Sequence, residues 1–430
     1  MINLSKLYYD INYKLMHAIF LIFIFFKRSV LRSFKILLLF RDAPKKFTPD
    51  TVVVLKIGGL GDFIFGIPAL NLLRERLPNS KIILITSKSL NGLKFQFSNC
   101  DPLNVSSLPW VDLARSSVDE VITVNDLSLK TIRKISDLIP KSKSCGIILF
   151  GYPGMTFSSA IKKMLFVRLL IKGIVVCVGV DKKLDDHFMR RYQSLNGLSQ
   201  HKMLGDIDSV AEAFHGLLPY DKNLNLNLNL NLNLNFKVPV IPSTEISVFN
   251  ITKYKNAKNI LLIAPSATTN HKQWPLEKFV RLTQELKKSS DSIEIYLIGT
   301  HEQFEQAEQA YQNIGFEINN LCGQLSITDL ASLFSIAKGY IGNDGGMSQL
   351  AGLVGCPSVI VFNSVEEDWV THPWRSASGV VRNRTNCSPC YNALFCPEGH
   401  SKCMVDISIE SVLSKVNQII LKPEAYITVT

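Results

Sequence analysis

Three short stretches of this 430-residue chain put phosphate-handling or proton-handling side chains at the ends of apolar runs: GGLGD (58–62), APSATTNHKQWP (264–275) and NDGGMSQ (343–349). In the second, Thr268 and Thr269 offer hydroxyl donors and Lys272 offers a compact positive charge suited to a phosphate. A lone loop lysine is ordinarily solvated, so the case for Lys272 rests on its sharing a cleft with the third stretch. There, Gly345 and Gly346 follow Asp344 and open a helical pattern. Bare backbone N–H groups at a helix start attract anions, and glycine lets a phosphate approach closely. The competing reading is a plain turn with Asp344 as the helix cap. In the first stretch the glycines Gly59, Gly61 and Gly66 are too widely spaced for the dinucleotide fingerprint, and no Gly-Lys-Ser/Thr phosphate loop follows. What remains is one carboxylate, Asp62, at the head of a helix. It is either a cap or a general base that takes a proton from a hydroxyl.

Two other constellations have weaker claims. Asp206 and Asp208 look like a metal-binding Asp-x-Asp pair but lie in a helical pattern, where residues two apart do not face together. Cys387, Cys390, Cys396 and Cys403 cluster near the end, and the first pair has zinc-ligand spacing. Structural zinc, reduced thiols in a packed loop and a disulfide all remain open for them. The chain has nine cysteines, and the other five are scattered, which argues against a secreted disulfide framework and for a reducing compartment.

The elements that must position these loops follow one grammar: apolar strand, loop, helix. TVVVLKI (51–57), KIILIT (81–86), EVITVN (120–125) and SCGIILF (144–150) read as strands of a first half. A helix is expected from Pro68, with the proline in its first turn. NILLIAP (259–265), IEIYLIG (293–299), GYIGND (339–344) and CPSVIVFN (356–363) repeat the pattern in a second half. Ser326 is the expected cap of the helix SITDLASLFSIAK, and Ile409, Val412, Leu413, Val416, Ile419 and Ile420 line one face of a closing helix. The fold class implied is α/β, with two Rossmann-like, doubly wound parallel-sheet domains facing across a cleft. Ligands in such sheets sit at the carboxyl ends of the strands, which makes GTHEQ (299–303) a fourth loop of interest. Between the halves lies an Asn-Leu alternation, residues 223–236, read as a low-complexity linker. The expected domains are therefore 1–46, 47–222, 223–256 as linker region, and 257–422.

Charge sets the front segment apart. The chain carries +11. Residues 1–50 hold nine Lys/Arg against three Asp, around the apolar run LMHAIFLIFIFF. That run falls short of the about 20 apolar residues a membrane span needs. Interleaved basic and aromatic residues suit a helix lying on anionic lipid. A helix packed on the protein body is the alternative. A secretory signal lacks its small-residue cleavage site, and nucleic-acid arms are seldom so apolar.

Taken together, VVVLKIGGLGDFIFGIPAL, APSATTNHKQWPLEKFVRL and YIGNDGGMSQLAGLVGCPSVIVF resemble glycosyltransferase family 9, the lipopolysaccharide heptosyltransferase family. The resemblance runs in order over about residues 51–420 and implies the GT-B fold. It also implies an inverting, metal-independent transfer of a sugar, heptose being the expectation, from a nucleotide-diphosphate donor such as ADP-heptose. The acceptor would be a lipid-linked glycan such as lipopolysaccharide core. No cofactor and no nucleic-acid partner are implied. The expected location is cytoplasmic, peripheral on the inner face of the inner membrane. By this resemblance Asp62 is the catalytic base, and Thr268, Thr269 and Lys272 contact the donor diphosphate. Glu302 would hold the ribose, with Gln303 as the neighbouring alternative. Leu325 is an apolar contact near the base, and Asp344, Gly345, Gly346 and Met347 form the donor loop. Gln349 stands where the family usually has His. An amide can hydrogen-bond a phosphate or sugar but carries no charge, so a catalytically impaired nucleotide- or glycan-binding relative is the alternative.

Overall fold

The computed structural model describes residues 40–41, 49–56, 60–87, 113–114, 116–124, 145–150, 175–178, 254, 259–267, 269–366, 371–373, 378–390 and 395–421. Two six-stranded sheets organise them. The first contains β1 (Phe40–Arg41), β2 (Thr51–Lys56), β3 (Lys81–Ser87), β4 (Glu120–Val124), β5 (Cys145–Phe150) and β6 (Val175–Val178). Their spatial order is β1-β6-β5-β2-β3-β4, all pairs parallel. The second contains β7 (Ile260–Ala264), β8 (Glu294–Leu297), β9 (Asn319–Asn320), β10 (Gly339–Asn343), β11 (Ser358–Phe362) and β12 (Ser378–Arg382). Its order, β12-β11-β10-β7-β8-β9, is again fully parallel and is the doubly wound arrangement.

The strands form where β-branched and leucine side chains run unbroken. Every residue of β2, β7, β10 and β11 is buried, as parallel strands covered on both faces require. Alternate residues of β7 go to opposite faces. Leu262 joins an apolar cluster that also holds Val52, Val54, Phe63 and Leu350, so one core runs from the first sheet into the second. Leu261 and Ile263 join a cluster on the other face with Trp274, Phe279, Val412 and Val416. The closing helix α6 (Ile409–Val416) and the turn that follows it bury Val412, Val416 and Ile420, as the spacing predicts.

Two elements differ from expectation. Helix α1 spans Leu60–Arg76, so it begins eight residues before Pro68 and holds that proline in its interior. An interior proline costs about 3 kcal/mol. Burial of Leu60, Phe63, Ile64 and Ile67 offsets that cost, at about 1.5–3 kcal/mol for each large side chain. These four residues are themselves spaced i, i+3, i+4, i+7. At the front, Phe40–Arg41 pairs with Val175–Val176, which brings the end of the basic segment into the first sheet. The rest of that segment, the Asn-Leu alternation and Asp206–Asp208 lie outside the described residues. Near the end of the linker region, Tyr254 is buried edge-on against Tyr296, ring centroids 5.4 Å apart.

Candidate functional site

At the switch point of the second sheet, β7 and β10 are neighbours and their exit loops lie side by side. The β7 loop ends in a tight 3-10 turn, Asn270–Lys272, in which the N–H of Lys272 donates to Thr269 O at 3.0 Å. What fixes this loop is Asn343, the buried last residue of β10. Its Oδ1 accepts the Trp274 backbone N–H at 2.9 Å and its Nδ2 donates to Pro265 O at 3.2 Å. Gln273 Oε1 accepts the Ala267 N–H at 3.2 Å and closes the loop on itself. Trp274, 0% exposed, stacks edge-on with Phe279 and donates its indole N–H to Ile407 O at 3.0 Å. Pro275 then starts helix α2 (Leu276–Ser289). Lys272 is thus held on a turn anchored two residues later by a fully buried tryptophan.

Two polar atoms of this turn, Thr269 Oγ1 and His271 Nε2, are buried without a hydrogen-bond partner. Burial, and secondarily the Lys272 charge, hold the His271 pKa below its ordinary value, which favours the neutral ring. Thr268 lies outside the described residues.

The β10 exit is Asp344–Gly345, after which helix α5 spans Gly346–Val354. Asp344 is half-buried, and its carboxylate accepts from Asn363 Nδ2 at 3.3 Å. It does not cap α5. Gly345 takes that position with an extended backbone, its N–H donating to Ser348 Oγ at 3.2 Å while that hydroxyl donates to Gly345 O at 2.7 Å. Gly345 is exposed, so the α5 N-terminus opens outward, and Met347 packs on the apolar cluster beneath. Such an N-terminus concentrates partial positive charge from unpaired N–H groups.

On the neighbouring strand, β8 ends in a 3-10 turn, His301–Gln303, which leads into helix α3 (Phe304–Tyr311). Gln303 caps it, Oε1 accepting the Thr300 N–H at 2.9 Å, while Glu302 is exposed. Gly323, at φ +70°, lies so close that a Cβ there would sit 2.4 Å from His301 Cα; only glycine fits. Leu325 is 4% exposed within the core, immediately before Ser326, which caps helix α4 (Ile327–Ile336) by accepting the Asp329 N–H.

The first half reaches this site through α1, whose third residue is Asp62. Its first turn packs on the first turn of α5. A Cβ built on Gly61 would meet Gln349 Cγ at 3.5 Å, and one on Gly346 would meet the Leu60 side chain at 3.1 Å. Gln349 does not face outward: it is 4% exposed and its Nε2 donates to Thr371 O at 2.6 Å. Thr269 and Lys272 thus follow β7, Asp344 and Gly345 follow its neighbour β10, the α1 start packs on α5 at Gly346, and Glu302 follows the next strand, β8. Leu325 and Gln349 are turned into the core.

The four clustered thiols are free and half-buried. Cys396 accepts the Ser401 N–H at 3.4 Å, and Cys387 Sγ lies 3.1 Å from Thr385 Oγ1. Among the described residues no group of three or more His, Cys, Asp or Glu is arranged to hold a metal ion.

Sequence reasoning did not single out Asn343 or His271. Asn343 carried a signal: asparagine at the end of an apolar buried strand is disfavoured unless its amide is fully hydrogen-bonded. His271 carried none beyond its position beside Lys272.

The family model for glycosyltransferase family 9 (heptosyltransferase) matches residues 170–399, more than half of the chain. The chain belongs to this family. Lipopolysaccharide heptosyltransferase 2 of Escherichia coli is 23% identical to this family 9 chain over 158 residues, which cover 36% of the chain and 44% of that relative. The match thus spans less than half of the relative's length. Among solved structures, the family 9 glycosyltransferase of Veillonella parvula superposes with a TM-score of 0.56 at 14% identity, covering 89% of this chain and all of that one (100%). The E. coli ADP-heptose lipopolysaccharide heptosyltransferase II gives 0.55 at 16%, covering 87% and 99%. E. coli heptosyltransferase WaaC, solved with ADP, gives 0.52 at 15%, covering 86% and 99%. At these identities the likeness concerns the fold, which is the GT-B arrangement of this heptosyltransferase family.

Proposed function

We propose that this family 9 chain is an inverting glycosyltransferase that moves a sugar, heptose or a close analogue, from a nucleotide-diphosphate donor to a lipid-linked glycan. The observation that carries this reading is the junction of α1 and α5. It brings the start of α1, which bears Asp62, against the start of α5, the helix that follows β10, and β10 pairs with β7, the strand that leads to Lys272. The solved relatives with ADP and ADP-2-deoxy-2-fluoro heptose support an adenosine diphosphate sugar as donor.

In the proposed mechanism Asp62 takes the proton of an acceptor hydroxyl as its oxygen attacks the anomeric carbon from the face opposite the leaving group. The carbon–oxygen bond to the diphosphate breaks and the nucleoside diphosphate departs. Lys272, the hydroxyls of Thr268 and Thr269, and the α5 N-terminus at Gly345–Gly346 meet its growing negative charge. Because these groups supply the positive field, the transfer is proposed to need no divalent cation. Glu302 is free to bind the ribose, since Gln303 is committed to its cap. Asp344 and Met347 shape the donor loop.

Residues 47–222 would form the acceptor domain and 257–422 the donor domain, joined through 223–256. The basic segment 1–46 would hold the protein to anionic lipid at the inner face of the inner membrane, where a lipid-linked acceptor is presented. Among the described residues no helix is long and apolar enough to cross a membrane.

The test is release of nucleoside diphosphate from a panel of nucleotide sugars, with and without a chelator, in the presence of lipid-linked glycan. Turnover with one donor, undiminished by the chelator, is expected. Donor binding without turnover would favour the impaired relative instead.

A further inference from the structure

Gln349 occupies the position at which family resemblance suggests a donor contact, yet its surroundings describe another task. The side chain is 4% exposed and its amide nitrogen is spent on Thr371 O at 2.6 Å. That carbonyl belongs to the segment between β11 and β12, 22 residues further along the chain. The methylene part of Gln349 faces Gly61, where an added Cβ would lie 3.5 Å from Gln349 Cγ and 3.7 Å from Gly346 Cα. Leu60 packs against Gly346, where an added Cβ would lie 3.1 Å from its side chain. From the first turn of α5, the one side chain of Gln349 therefore reaches two other pieces of chain: the first turn of α1 and the Thr371 segment. The glycine at 346 is the tight position between the two helix starts, whereas a Cβ at 61 would make only ordinary contacts.

We infer that Gln349 is a positioning residue: it fixes the spacing between the helix start that bears Asp62 and the helix start that faces the donor diphosphate, without touching the donor. The inference rests on the proposed transferase reading for its catalytic consequence, but its structural core does not. Replacing the amide with a group that cannot donate leaves Thr371 O without its partner and unties the side chain that lies between α1 and the Thr371 segment. A displacement of about 1 Å between reacting groups can cost on the order of 100-fold in rate, whereas a side chain that does not touch the donor leaves donor affinity in place.

Two variants of similar length test it: Gln349→Met, which removes both polar atoms, and Gln349→Glu, which keeps the shape but sets a carboxylate against the carbonyl. For each, ADP affinity is measured by calorimetry, kcat and donor KM with the best donor, and amide hydrogen exchange across residues 60–66 and 371–373. The expected result is a fall in kcat of about 10- to 100-fold with ADP affinity and donor KM within about twofold. Exchange should rise in both segments. Weakened ADP binding with unchanged exchange over 60–66 would make Gln349 a donor ligand and overturn the inference. If the wild type transfers no sugar, the transferase reading fails while the exchange measurement still decides: unchanged protection over 60–66 in both variants overturns the positioning role. If one variant does not fold, the other carries the same readouts.

Discussion

Asn343 Oδ1 accepts the backbone N–H of Trp274 at 2.9 Å, and this bond joins the end of a buried strand to the loop that carries Lys272. With the second bond to Pro265 O, both ends of the loop are held by one amide. The arrangement explains the order of residues in KQWP. The tryptophan is the anchor, the proline begins the next helix, and the lysine rides on the turn just before them.

Asn343→Leu should therefore damage the loop in two ways. It leaves a buried donor and a buried acceptor unmet, each costing about 1–3 kcal/mol. Denaturant titration should show the loss of stability, and nucleoside diphosphate binding should weaken with it. Asn343→Asp keeps the acceptor for the Trp274 N–H but turns a carboxylate oxygen to Pro265 O, so it should lose stability as well.

Lys272→Ala should weaken nucleoside diphosphate binding by about 10- to 100-fold, the usual range for a charged hydrogen bond of about 1.5–3 kcal/mol. Because Lys272 is partly exposed and the fold rests on Trp274, stability should hardly change. Calorimetry on the variant checks the first point and thermal unfolding the second. Unaltered affinity would remove Lys272 from the site.

His271 makes stability depend on pH in a defined direction. Burial, then the Lys272 charge, lower its folded pKa below the ordinary 6.5, so the unfolded chain binds the proton more readily. Its contribution is whole above about pH 6.5 and is lost as pH falls through that value toward the folded pKa. Denaturation midpoints of the wild type should drop between about pH 7.5 and pH 5.5, and His271→Asn should show a smaller drop. Equal drops would assign the effect to other groups.

The basic segment 1–46 predicts binding of the full chain to vesicles that contain anionic lipid. Binding should be weak on neutral vesicles and should fall as salt rises, since the Debye length shrinks to about 8 Å at physiological ionic strength. Cosedimentation measures both. Salt-independent binding, or none, would count against a surface anchor.

Much of this architecture could be read from residue order, because buried parallel strands announce themselves as unbroken runs such as Val52–Leu55 and Ile260–Ile263. Short or half-covered strands do not. Asn319–Asn320 has two residues of strand-disfavouring type, and in Ser378–Arg382 only alternate residues are buried. The start of α1 was masked by Pro68, which normally opens a helix rather than sitting inside one. At the site, loop positions followed from the strand ends, so it was legible that the loops carrying Lys272 and Gly346 follow strands of the second sheet. The role of Gln349 was not, because its partners Thr371 and Gly61 are brought to it by the tertiary fold and leave no periodic trace.

In the proposed reaction the start of α1 supplies the base and the loops of the second sheet hold the departing diphosphate. Asp62→Asn tests it most directly, with nucleotide-sugar turnover and nucleoside diphosphate affinity measured on the same preparation. Turnover should fall by about 100- to 10,000-fold, the span general base catalysis supplies, while affinity stays within about twofold. Turnover equal to wild type would contradict the account.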